Sequence, residues 1–213
     1  MAFSINDFKA RGFTDGGARP TLFEVIVPSL PQIVGEQTGI SGVSVPDKVT
    51  LNCKASSLPP SIISEVEIGY FGRKIKVIGD RTFPNWSTTI YNMEDFLVRN
   101  LFENWQEIMN SRQPNLLHPS TPVNGASNSA TDPNNYKRDI TVIQYSKAGA
   151  EKRYYTLIGA FPVSIAPIGL DWDATNQIEL FDVDWAYDYW EPTLQNEGTT
   201  IVPTPSITLN PGL

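Results

Sequence analysis

The chain has 213 residues, 40% of them hydrophobic and 11% aromatic, which suits one domain with a real core plus embellishments. A single cysteine (Cys53) and a single histidine (His118) exclude internal disulfides, cysteine zinc clusters, histidine triads and two-histidine metal sites. The net charge of −7 is unevenly placed: all sixteen Lys and Arg lie at or before Arg153, and the stretch from Leu170 to the end holds eight acids and no base, so the basic stripe of a DNA-reading domain is missing.

Residues 1–19 are polar and Gly-rich and are expected to form an N-terminal arm. The opening lacks the apolar core of a signal peptide, so synthesis in the cytosol is expected, and no apolar run approaches the roughly 18 residues of a membrane span. Thr21–Pro28 alternates as a strand does. Ser29–Lys48, with three Gly and two Pro, is a long loop. Val49–Ser57 is the next strand, with Cys53 as a buried structural thiol. Ile62–Gly79 predicts a β-hairpin turning near Gly69–Gly72. Its charged face carries Glu65, Glu67, Lys74 and Lys76, and its other face Ser64, Val66, Ile68, Arg73, Ile75 and Val77. Trp86–Asn92 is another strand.

The period then changes. Asn92 can cap a helix whose first turn holds Glu94 and Asp95. Leu97, Leu101, Trp105 and Ile108 share one face at helical spacing, which reads as a core stripe, and Pro114 ends the pattern. Residues 115–136 form a long loop rich in Ser, Thr, Asn and Pro, with His118 on its surface. Arg138–Ser146 and Lys152–Ile165 are strands around a KAGA turn. The tally is about seven strands and one docked helix, a mainly β sandwich or barrel-like domain over residues 20–191. The tail, 192–213, carries turn formers without periodicity and is expected to be extended.

The acidic stretch LDWDATNQIELFDVDWAYDYWE (Leu170–Glu191) holds seven acids. Its first part places oxygens as a calcium loop does, but Asn176 stands where glycine is needed, Asp182 replaces the closing glutamate and no helices flank it. A turn held by Asp and Asn side chains is the simpler reading. In the strand that follows, Phe181, Val183, Trp185, Tyr187 and Tyr189 are expected to face the core. Asp182, Asp184, Ala186 and Asp188 then share the opposite face, with carboxylates about 7 Å apart. No catalytic group, cofactor or metal is expected.

Three segments, CKASSLP (Cys53–Pro59), GRKIKVIGDRTF (Gly72–Phe83) with Trp86 close behind, and the acidic stretch, together resemble the tail tube proteins of contractile-tailed bacteriophages of the large myovirus type. Order and spacing agree from about Arg19 to Glu191. Ser29–Lys48 and Asn115–Tyr136 are longer than the family pattern, and the tail after Glu191 is an addition. The resemblance implies hexameric rings stacked into the inner tube of a virion tail, made in the host cytoplasm. Its implied partners are further copies of itself, the tail sheath, baseplate and tail terminator proteins, a tape measure protein in the lumen, and double-stranded DNA in transit, with no membrane. Six copies contributing four strands each give about 24 strands, a circumference of roughly 115 Å before tilt and a bore of roughly 35–50 Å. Glu65, Glu67, Asp182, Asp184 and Asp188 are the candidate lumen-lining acids, because an acidic wall gives phosphate nothing to hold. Two alternatives stay open: the inner tube of a contractile injection or secretion machine carrying protein cargo, and a carbohydrate-binding sandwich suggested by five Trp and eight Tyr.

Overall fold

Strand β7 organises the molecule. In a computed structural model, which describes residues 17–27, 52–110 and 136–194 and four isolated positions besides, this strand runs fifteen residues, Glu151–Ile165. Near its middle Gly159 sits at φ +67°, a left-handed conformation that glycine adopts without strain. Before Gly159, β7 pairs antiparallel with β6 (Arg138–Tyr145) on one edge and β9 (Tyr189–Leu194) on the other. After it, β7 pairs with β8 (Leu180–Ala186). β1 (Phe23–Ile26) adds to β6, while β5 (Trp86–Tyr91) and then β2 (Cys53–Ser56) add to β8. The seven strands thus form two four-stranded leaves, β1–β6–β7–β9 and β7–β8–β5–β2, that share β7.

One core lies between the leaves. It takes Val25, Ile140, Val142 and Leu157 from the first and Trp86, Ile90, Phe181, Val183 and Trp185 from the second. The helix α1 (Leu97–Met109) closes it with Val98, Leu101, Phe102, Trp105 and Ile108. Phe102 meets Trp185 edge-on at 5.5 Å between ring centroids and Trp105 meets it at 5.8 Å, geometries that suit the aromatic quadrupole. Each buried indole finds an acceptor: Trp86 donates to the Ser57 carbonyl (2.6 Å), Trp105 to the Tyr136 carbonyl (2.9 Å) and Trp185 to the Thr88 hydroxyl (3.0 Å). Arg99 and Gln106 tie the helix to the end of β7 through the carbonyls of Ala166 and Val163. The predicted apolar stripe is therefore core, with Leu97 half-buried at its rim.

Two expectations are corrected. Asn92 does not cap the helix. Its N–H and its Nδ2 donate to the backbone and carboxylate of Glu179 (2.9 and 2.7 Å), which holds it at the end of the β5–β8 ladder. The helix begins only at Leu97, after Phe96 in a left-handed conformation, and the Leu97 N–H donates to Asp95 Oδ1 at 3.1 Å. Tyr189 does not join the core face. The chain leaves β8 after Ala186, Asp188 N–H bonds the Ile158 carbonyl (3.0 Å), and the new strand β9 starts on β7. The two-residue alternation is reset, leaving Tyr189 exposed and Trp190 packed on Tyr155 at 5.5 Å. β9 continues to Leu194, past Glu191, because the edge of β7 offers it a ladder.

The hairpin forms as expected and runs longer. β3 (Ile62–Tyr70) and β4 (Arg73–Thr82) make a separate two-stranded sheet. Phe71 and Gly72, both at positive φ, form the tight turn whose twist matches that of paired strands. The backbones pass so closely near Gly79 that a Cβ there would lie 2.4 Å from Ser64 Oγ. Cys53 is half-buried, and burial pushes its thiol up to about 11, too high for a reactive thiolate. The long loops, His118 and nearly all of the N-terminal arm and C-terminal tail lie outside the described residues.

Candidate functional surface

The leaf β7–β8–β5–β2 has one face under the helix and one face turned away from it. Register sets what the second face shows. Asp182 lies opposite Thr89, and Asp184 lies between Ser87 of β5 and Ser164 of β7. Thr89 donates its hydroxyl to Asp182 Oδ1 at 2.6 Å. The middle of this face is thus two carboxylates among small hydroxyls. Among the described residues neither carboxylate is in a salt bridge with Lys or Arg. Lys54 stands at the β2 edge, its ammonium 5.7 Å from the centre of the Tyr91 ring.

The other three candidate acids are placed differently. Asp188 accepts from Lys137 Nζ at 2.7 and 2.9 Å, and its carboxylate rests against Gly159, where a Cβ would approach it to 2.5 Å. Glu65 pairs with Lys76 and Glu67 with Lys74, each at 2.5 Å across the hairpin. Those three carboxylates carry their own counter-charge. The structure brings Asp182 and Asp184 together and leaves the hairpin acids on a separate sheet. The hydroxyls of Ser87, Thr89 and Ser164 complete the face and were not singled out from sequence, although the alternation in WSTTIY already placed Ser87 and Thr89 on one side.

The segment before β8 is a turn of the expected kind. Asp171 Oδ1 accepts the Asp173 N–H at 3.0 Å, and Thr175 N–H bonds the Asp173 carbonyl at 2.9 Å. Asn176 takes φ 59°, which Asn tolerates better than most residues. No group of three His, Cys, Asp or Glu among the described residues could hold a metal ion. No helix among them is long and apolar enough to cross a membrane.

The hairpin supplies a second surface. Val66, Ile68, Tyr70, Ile75 and Val77 form one face, and each is between 41% and 63% exposed. Five contiguous apolar side chains left open are unusual on a monomeric protein and mark an interaction surface.

The described residues thus form two leaves sharing one strand, a covering helix and a projecting hairpin. The phage tail tube protein family matches residues 18–193. The tail tube protein gp19 of Enterobacteria phage T4 is 33% identical over 187 residues, covering 87% of this chain and 98% of that protein. The tail tube protein of Serratia phage KSP90 is 24% identical over 65% of this chain and 72% of its own length. The fold is also similar to a chain in the cap of the anti-feeding prophage (TM-score 0.53, 16% identity, 84% of this chain and 91% of that one). A chain in the sheath/tube terminator of an extracellular contractile injection system gives TM-score 0.52 at 16% identity, over 83% of this chain and 96% of the other. The chain belongs to the phage tail tube protein family. It is a structural protein of the virion tail and not an enzyme. Of the five tryptophans on which the carbohydrate-binding alternative drew, Trp86, Trp105 and Trp185 are core residues and Trp172 is exposed.

Proposed function

We propose that this chain assembles into six-membered rings that stack as the inner tail tube, and that double-stranded DNA passes through the bore during ejection. The observation that carries the reading is the four-stranded leaf β7–β8–β5–β2, covered by α1 on one face and open on the other. Six such leaves side by side supply the roughly 24 strands that a bore wide enough for a duplex requires. The helix then faces outward, toward the sheath, and Asp182 and Asp184 face the lumen. The exposed apolar face of the hairpin supports self-association, since covering each half-exposed Val or Ile releases roughly 1 kcal/mol. Baseplate and terminator proteins contact the two ends of the stack, and a tape measure protein occupies the lumen before DNA does.

Carboxylates among hydroxyls make a wall that does not hold phosphate, whereas each Lys placed there would add a contact and slow passage. Two measurements test this. Electron microscopy of purified protein, with baseplate-like seeds where needed, is expected to show tubes of constant width; monomers at high concentration with and without seeds would end the assembly reading. Ejection kinetics for virions carrying Asp182→Lys or Asp184→Lys are expected to slow, with the defect easing as salt rises. Normal tubes that eject at the wild-type rate at every salt concentration would show that these carboxylates do not govern passage. Glu65, Glu67 and Asp188, already paired with Lys, are expected to contribute less.

A further inference from the structure

The two ends of strand β7 carry opposite character. At its start, the β6–β7 turn and the residues before β1 enclose a cleft of about 400 Å³ edged by Arg19, Lys147 and Lys152. Two acids lie at this end, each accepting from a neutral hydroxyl: Glu24 from Tyr145 and Glu151 from Tyr154. Arg153 adds a fourth base, stacked 4.9 Å from the centre of the Tyr155 ring. Four bases against two acids leave this end basic.

At the other end of β7, the 166–179 loop and the turn before α1 lie side by side, fastened by the two hydrogen bonds between Asn92 and Glu179. The loop frames a cleft of about 630 Å³ beside Leu170, Trp172 and Ile178. Trp172 is 102% exposed and Leu170 82%, with Phe96 half in water on the neighbouring turn. Asp171 and Glu179 line the cleft with Leu170 and Trp172; Asp173 is next to Trp172 in the chain, and Glu94 lies on the turn that Asn92 fastens to Glu179. The base on the nearby stretch of helix, Arg99, is turned to Glu103 and the Ala166 carbonyl. This end is acidic with an aromatic tip. A tryptophan standing wholly in water is the residue type that most often anchors an interface.

We propose that the Trp172 loop of one copy seats against the basic cleft between Arg19, Lys147 and Lys152 of a second copy, head to tail. The occupant is argued from charge complementarity: the chain carries at one end the counterpart of what it presents at the other. Such a contact is heterologous. It cannot close within a pair and propagates from copy to copy. The proposal rests on the tube reading above and names the surfaces through which successive copies meet.

Charge exchange tests it. Lys147→Glu with Lys152→Glu makes the basic end acidic. Glu94→Lys with Asp173→Lys makes the acidic end basic; Asp171 is spared because its carboxylate holds the turn. Each pair is expected to lower the mass of sedimentable tubes about ten-fold or more, with the monomer melting temperature unchanged. All four changes in one chain are expected to restore at least about half of the wild-type yield, because the attraction is re-created with its signs exchanged. Trp172→Ala is expected to match the charge-reversed pairs. A wild-type yield from either pair or from Trp172→Ala overturns the proposal, as does a four-fold variant no better than its parents. Wild-type protein that never forms tubes, with or without seeds, removes the tube reading and this contact together. Wild-type tubes combined with one of the other failures remove the contact alone.

Discussion

The β5–β8 pair and the β3–β4 hairpin are both antiparallel ladders of Val, Ile, Thr and aromatic residues. In β5 and β8 every second side chain is buried. In the hairpin, whose ladder is longer, none is. Propensity and register are the same in kind, so neither explains the difference. What differs is a second layer: α1 lies over β8 and shuts Trp185 in with Phe102 and Trp105. Among the described residues nothing covers the apolar face of the hairpin. A lone two-stranded ribbon is marginal in water. Its apolar face is therefore a feature of the assembly, and the β5–β8 face a feature of the monomer.

The largest expected break comes from the covered region. Trp185→Ala should cost about 3–5 kcal/mol, the usual result for a buried large aromatic, read as a lower midpoint in urea unfolding. An unchanged midpoint would place Trp185 on a surface and undo the assignment of Asp182 and Asp184 to the opposite face. Next comes Thr88→Val, which keeps the shape but leaves the Trp185 N–H without its 3.0 Å acceptor. A loss of about 1–3 kcal/mol is expected for a buried donor left unpaired. In the hairpin, Val66→Asp with Ile75→Asp should change monomer stability by less than about 0.5 kcal/mol, as surface changes do. The same pair should abolish sedimentable tubes. If it instead melts the monomer as Trp185→Ala does, the hairpin packs on the body and the contrast between the two regions fails.

The smallest expected effect is confined to alkaline pH. The hydrogen bond from the Tyr145 hydroxyl to Glu24, then partial burial and the charges of Glu24 and Glu151, push that phenol up to about 12. The folded value lies above the ordinary value of about 10, so the stabilisation is complete below that pH and fades as pH rises through the raised value. Tyr145→Phe should remove one late-titrating phenol from an ultraviolet titration and flatten the alkaline limb of the stability curve. Loss instead of a phenol that titrates at the ordinary value would show that the Glu24 contact does not form in solution.

Much of this was legible in the amino-acid order. The switch from period two to a helical period after Asn92 and back at Arg138 separates the strands from the helix, because burial of one face demands that spacing. The core residues of β8 follow from the same alternation as far as Tyr187. The motifs that resemble the tail tube family lie within residues 19–191, and the family match covers 18–193. Acid content, too, is a property of sequence alone: eight carboxylates after Leu170 with no base among them.

Which of those carboxylates remain in excess was decided by tertiary structure. Asp188 meets Lys137 from fifty-one positions away. Glu65 and Glu67 meet lysines diagonally across a hairpin whose exact register depends on the Phe71–Gly72 turn. The reset of alternation at Asp188 and the start of the helix five residues after Asn92 arise likewise from partners distant in the chain, the Ile158 carbonyl and Glu179. Local periodicity reports which side of an element is apolar, because that depends on neighbours two to four residues apart. Where a polar group finds its partner depends on which strands lie side by side, and that is settled only when β7 divides itself between two leaves.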